Sequence, residues 1–304
     1  MSKLFAVISL ACLILVSGCS ETEISLGSAA YADAVSDPEC LGSNPGGIVD
    51  VDEPGRGIDY SLRTPENYKA DVRHPLLVVF PAAGHNNFRS EVFTQFTYPA
   101  TTAGMVVLYP SHQPLRLKTI KAFARVIEDV ASNWCIDQKQ VYFTGHSDGG
   151  TVTHLLAQSE DLRLRPAAIA PSAAGIRADD LVENGCLNPV STLLMHNSKD
   201  KLFPGFGRDA TNWWVKCNQC MRSVAANESG CVLHTGCAGG TEVMYCEVAG
   251  GHRDWLQPRQ QILEFLMRQA GASQVNVGKN DSSQANLSQA APQLKRSLDS
   301  GKEL

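Results

Sequence analysis

From about residue 51 to residue 272 the chain alternates two kinds of apolar patterning. Leu76-Leu77-Val78-Val79-Phe80, Met105 to Tyr109, Val141-Tyr142-Phe143, Ala167 to Ala170, Thr192 to Met195 and Val243 to Tyr245 are short runs with no polar face. Such runs suit strands covered on both sides, as in a parallel sheet. Near them apolar residues recur at helical spacing: Ile120, Phe123, Ile127 and Val130 precede the Val141 run, and Val152, Leu155 and Leu156 follow it. This alternation predicts an α/β fold, a mostly parallel central sheet with helices on both faces, over residues 51–272. No internal repeat is evident.

Both ends of the chain break the pattern. Lys3 is followed by an apolar run from Leu4 to Val16, which falls short of the roughly 20 residues a membrane-spanning helix needs and suits the core of a signal peptide. The run closes on Val16-Ser17-Gly18-Cys19. Small residues before a cysteine resemble a bacterial lipoprotein signal, which implies a leader over 1–18 and a lipid on Cys19; an ordinary secretory signal cleaved nearby is the alternative. Ser20, where Asp would imply inner-membrane retention, favours the outer membrane. Residues 19–50, small and polar with Gly and Pro, are expected as a tether, and 273–304, rich in Ser, Asn, Gln and Lys, as a disordered tail.

Composition then narrows the function. Hydrophobic residues make up 43% of the 304 and charged ones 19%, enough apolar material for a core. A net charge of −5 without a basic block excludes nucleic-acid binding by phosphate neutralisation. Ten cysteines point to an oxidising compartment. With Cys12 lost in the leader and Cys19 lipidated, Cys40, Cys135, Cys186, Cys217, Cys220, Cys231, Cys237 and Cys246 remain. An even number predicts disulfides in a C-terminal-weighted set, with pairing left open. Cys217-Asn218-Gln219-Cys220 has the spacing of a redox or zinc half-site, but structural bridges are preferred in an exported chain. The histidines show no H-x-x-x-H or H-E-x-x-H spacing, so no metal is expected, and nothing in the sequence implies a cofactor.

One motif carries chemistry. Val141 to Thr144 runs into Gly145-His146-Ser147-Asp148-Gly149-Gly150 and then a helical pattern, the strand, G-x-S-x-G turn and helix of a nucleophile elbow. A Ser hydroxyl needs an imidazole to take its proton and a carboxylate to orient that imidazole. Asp200 follows the Thr192 to Met195 run and His252 follows the Val243 to Tyr245 run, giving the Ser, Asp, His chain order of α/β hydrolases. Ser147, Asp200 and His252 are therefore the candidate catalytic residues. The backbone N–H groups of Asp148 and Ala83, the latter in Phe80-Pro81-Ala82-Ala83-Gly84-His85, are the candidate oxyanion donors.

These features together resemble the polyhydroxybutyrate depolymerase and feruloyl esterase branch of the α/β hydrolases. The resemblance spans about residues 50–270 and includes Tyr60 to Tyr68 as an opening Y-x-L-x-x-P-x-x-Y strand, Pro75 to Gly84, Cys135-Ile136-Asp137, His196 to Asp200, and His252 with Trp255. The chain departs from the pattern at Pro81-Ala82, where His-Gly is usual, at Asp148, where a small residue is usual, and in the extra residue between His252 and Trp255. The resemblance implies an exported serine ester hydrolase acting through an acyl-enzyme, membrane-attached through its lipid. His146, Trp213, Trp214 and Trp255 are candidates to line the substrate site, the Trp213-Trp214 pair being equally suited to the core. A serine peptidase of the same fold and a non-catalytic lipoprotein binding polymer or cell wall are the alternatives. No long apolar lid segment lies between Ser147 and Asp200, so short, hydroxyacyl or aromatic acyl groups are expected over long chains.

Overall fold

The six unbroken apolar runs become the parallel centre of a ten-stranded sheet. The computed structural model describes residues 37, 39–40, 44–51, 57–225, 227, 229–255 and 258–269. In chain order these form β1 (Ile48–Val51), β2 (Tyr60–Arg63), β3 (His74–Phe80), α1 (Asn87–Thr94), α2 (Thr97–Thr102), β4 (Val106–Pro110), α3 (Leu117–Asn133), β5 (Ile136–His146) and α4 (Asp148–Ala157). There follow β6 (Ala168–Ser172), α5 (Ala178–Asn184), β7 (Ser191–Asn197), α6 (Phe206–Cys217), β8 (Arg222–Val224), β9 (Cys231–Thr235), β10 (Val243–Val248) and α7 (Arg259–Arg268). The order across the sheet is β1-β2-β4-β3-β5-β6-β7-β10-β9-β8. From β4 to β10 all neighbours are parallel, and β1-β2 and β9-β8 add antiparallel margins.

Side chains alternate across each central strand, so the sheet divides the core in two. Leu76, Val78 and Phe80 of β3 face one layer, packed with Ile120, Phe123, Ile127 and Val130 of α3 and with Val152 and Leu156 of α4. Leu77 and Val79 face the other, with Phe96 just before α2, Ala100 of α2, and Ile262, Leu263, Phe265 and Leu266 of α7. The helices thus lie on both faces, as the alternation of patterns predicts.

The segment expected as a tether needs correcting at its C-terminal end. β1 pairs with β2 in register Ile48 to Arg63, and the Thr64 hydroxyl accepts the Gly47 N–H at 2.6 Å. Arg73 binds Asp37, and Cys40 is bonded to Cys135 across 95 residues. Polar composition misled because β1 is a half-exposed margin held by pairing, an ion pair and a disulfide instead of by burial. The leader, Cys19 and the 273–304 tail lie outside the described residues.

Among the described residues Cys186–Cys217, Cys220–Cys237 and Cys231–Cys246 complete four disulfides. Cys217 and Cys220 are thus each committed to a different partner, and neither is half of a redox or zinc pair. Four bridges in a chain of this size mark a protein that folds outside the reducing cytosol. Among the described residues no helix is long and apolar enough to cross a membrane.

Candidate active site

Backbone geometry forces Ser147 out of the sheet. It joins β5 to α4 at φ 56° and ψ −118°, a conformation that costs a non-glycine residue about 1–3 kcal/mol. The flanking glycines make the turn feasible. A Cβ on Gly149 would lie 2.2 Å from the Phe80 carbonyl oxygen, and one on Gly145 would lie 2.6 Å from the Gly149 backbone. The Ser147 N–H donates to the Ser172 carbonyl at 2.9 Å, fastening the turn to β6.

The turn directs Oγ at His252. Ser147 Oγ lies 2.9 Å from His252 Nε2, and His252 Nδ1 lies 2.8 Å from Asp200 Oδ2. An ionised carboxylate only accepts, so Nδ1 carries the proton and Nε2 is left to accept from the Ser147 hydroxyl. The Asp200 side chain is fully buried. Burial disfavours its charge, yet the Phe203 N–H, the His252 imidazole and the Leu202 N–H together hold its pKa below the ordinary carboxylate value. Those two amides donate to Oδ1 at 3.0 and 2.9 Å, leaving Oδ2 for His252.

The loop carrying His252 is held by side chains outside that chain of three. Asn197 Nδ2, at the end of β7, donates to the carbonyls of Gly251 at 2.7 Å and Asp254 at 3.1 Å. His146 Nε2 lies 2.7 Å from the His252 carbonyl and its Nδ1 lies 3.1 Å from Ser172 Oγ. Burial lowers the His146 pKa to about 4, so the ring is neutral near pH 7 and has one proton. That proton sits on Nε2, where only a carbonyl is available, and Nδ1 accepts from the Ser172 hydroxyl.

His112, in the loop after β4, joins the two segments bearing the oxyanion candidates. Its N–H donates to the His85 carbonyl at 2.9 Å, and its Nε2–H donates to Asp148 Oδ2 at 3.0 Å. The 82–85 turn and the residue after Ser147 are thereby fixed to one residue, the first through its backbone N–H and the second through its ring. The unusual acid at position 148 has its partner there.

A cavity of about 1000 Å³ opens onto Ser147 and His252, with Ala83 at one edge and Phe88, Val92, Phe93 and Leu202 as its apolar wall. His146 also borders it, although its side chain is mostly enclosed. Trp213 and Trp214 do not reach it. They pack in the α3/α4 layer, and Trp214, fully buried, donates from Nε1 to His154 Nδ1 at 2.8 Å. The inward face of α6 takes both rings. Trp255 stands behind the wall, with its ring against Phe93, Phe96 and His146. Nothing local in the sequence singles out Asn197, His112, Phe88, Val92 or Leu202 for these positions; each acquires its role from partners distant along the chain.

No family model matches the chain. It is 22% identical over 233 residues to feruloyl esterase D of Neurospora crassa, covering 68% of this chain and 78% of that one. It is 28% identical over 148 residues to feruloyl esterase B of Piromyces equi, covering 41% of this chain and 27% of that one. Among solved structures, an acetyl xylan esterase from Aspergillus awamori superposes with a TM-score of 0.58 at 12% identity, over 73% of this chain and 99% of that one. That likeness shows the α/β-hydrolase fold.

Proposed function

We propose that the chain, an ester hydrolase of the α/β-hydrolase fold, cleaves carboxylic esters through Ser147, His252 and Asp200. The observation that carries this reading is the continuous hydrogen-bonded chain from Ser147 Oγ through His252 to buried Asp200, with Ser147 and His252 lining an open cleft. Ser147 Oγ attacks the ester carbonyl as His252 Nε2 takes its proton. Asp200 stabilises the imidazolium that results, and the N–H groups of Asp148 and Ala83 receive the oxyanion. His252 returns the proton to the departing alcohol, leaving an acyl-enzyme. A water activated by the same imidazole then frees the acid.

The similarity to proteins named feruloyl esterases, and the apolar wall of Phe88, Val92, Phe93 and Leu202, support aromatic or short acyl groups such as feruloyl or hydroxyalkanoyl. The Val16 to Cys19 box supports export with a lipid on Cys19, and Ser20 after it supports attachment to the outer membrane.

The test is Ser147→Ala. Ester turnover falls by about four to six orders of magnitude while the circular dichroism spectrum is unchanged, and covalent labelling by a fluorophosphonate, present in the parent, disappears. Equal turnover by the folded variant refutes the reading.

A further inference from the structure

We propose that this cleft selects esters that carry a second, ionised carboxylate, gripped by the guanidinium groups of Arg89 and Arg253. The inference rests on the esterase reading and extends it to the class of substrate.

It starts from which arginines already have partners. Arg63, Arg73, Arg163, Arg208 and Arg268 each face a carboxylate, as expected in a chain with net charge −5. Arg89 and Arg253 face none among the described residues, are exposed, and both border the cavity that opens onto Ser147. They come from separate segments, Arg89 from the first turn of α1 and Arg253 from the loop directly after His252.

The rest of the lining leaves those charges unanswered. Among the described residues no Asp or Glu borders the cavity. Asp200 is enclosed and bonded to His252, and Asp148 is bonded to His112. Beside the arginines stand exposed apolar side chains, Phe88 at 50%, Val92 at 73% and Leu202 at 60%. Charge of one sign against low-dielectric walls concentrates the field within a cleft and draws in ions of the opposite sign. A guanidinium offers paired N–H donors that match a carboxylate, so the ligand class follows from the donors. The apolar wall takes the uncharged part of the same molecule.

Two matched pairs of esters read the contact. Monoethyl adipate against ethyl hexanoate places the carboxylate on the acyl side, and 4-acetoxybenzoate against 4-acetoxybenzamide places it on the alcohol side. In at least one pair the anionic ester has the higher kcat/KM, by about tenfold at low salt, and the advantage shrinks in 0.5 M NaCl as screening requires. In Arg89→Gln/Arg253→Gln the ratio of anionic to neutral kcat/KM falls towards one, and Arg89→Lys/Arg253→Lys restores part of it. Calorimetry of 4-acetoxybenzoate and 4-acetoxybenzamide with Ser147→Ala protein reads binding preference without turnover. Neutral esters cleaved with no charge preference in either pair, or a preference indifferent to both arginines, overturn this inference alone. Failure to cleave any of the four esters counts against the esterase reading, and calorimetry still decides whether the carboxylate is recognised.

Discussion

His146, one residue before Ser147, borders the cavity on one side and is bonded to the His252 main chain on the other. Its tautomer is fixed, because a neutral ring has only one proton to offer the His252 carbonyl. Removing that donor takes away one tie on the His252 loop, the Asn197 bonds remaining, without touching the candidate triad itself. His146→Ala is expected to lower kcat by about ten- to a hundredfold with KM within about threefold, since misplacement of a general base costs rate more than binding; steady-state kinetics with a short-chain ester measure this. A loss concentrated in KM would mean that the ring contacts substrate instead. At this scale the candidates Ser147, Asp200 and His252, which the fold brings into hydrogen-bond contact, are legible because each follows an apolar run at a strand end. Trp213 and Trp214 were ambiguous because adjacent aromatics do not reveal which way a helix faces. Asn197 and His112 were invisible, since their partners lie 54 and 36 residues away.

Among the elements, the six parallel strands were legible for the same reason that they are central: burial on both faces leaves no polar position to interrupt the run. The margins were not. β1 alternates exposed and half-buried residues, and all three residues of β8 are exposed, so composition there resembles linker. What binds β1 is non-local. Arg63 spans β2 to α1, reaching Asp50 at 2.9 Å and Glu91 at 2.6 Å, and Cys40–Cys135 closes a loop of 95 residues. Cys40→Ala/Cys135→Ala is expected to reduce unfolding free energy by about 2–5 kcal/mol while kcat changes less than twofold, because the bridge is remote from Ser147 in the fold. Urea unfolding followed by tryptophan fluorescence, with kinetics on the same preparation, checks both halves.

For the molecule as a whole, acid is the weak side. His74, His146, His154 and His196 are buried, and burial lowers the pKa of each, to about 4 for His146 and about 3 for His154. Their folded values lie below the unfolded value near 6.5, so as pH falls the unfolded chain binds protons first. Stability is therefore full above about pH 6.5 and is lost between there and the folded values, by on the order of 1 kcal/mol per pH unit for each fully buried ring. The lowered pKa of Asp200 removes stability in the same direction at still lower pH. Thermal unfolding from pH 8 to 5 should show Tm falling below about pH 6.5. His154→Gln, which keeps an acceptor for Trp214, should flatten that slope; an unchanged slope would remove His154 from the account. The pairing of the cysteines also bears on how the protein is made. Cys40–Cys135 and Cys186–Cys217 join neighbours in the order in which the chain is synthesised, whereas Cys220–Cys237 and Cys231–Cys246 interleave. An oxidase acting on thiols as they arrive would first join Cys220 to Cys231 and Cys237 to Cys246, and thiol exchange must then undo both. Biosynthesis should accordingly depend on a disulfide isomerase as well as an oxidase, and a host lacking the isomerase should accumulate full-length chains mispaired only within the last four cysteines.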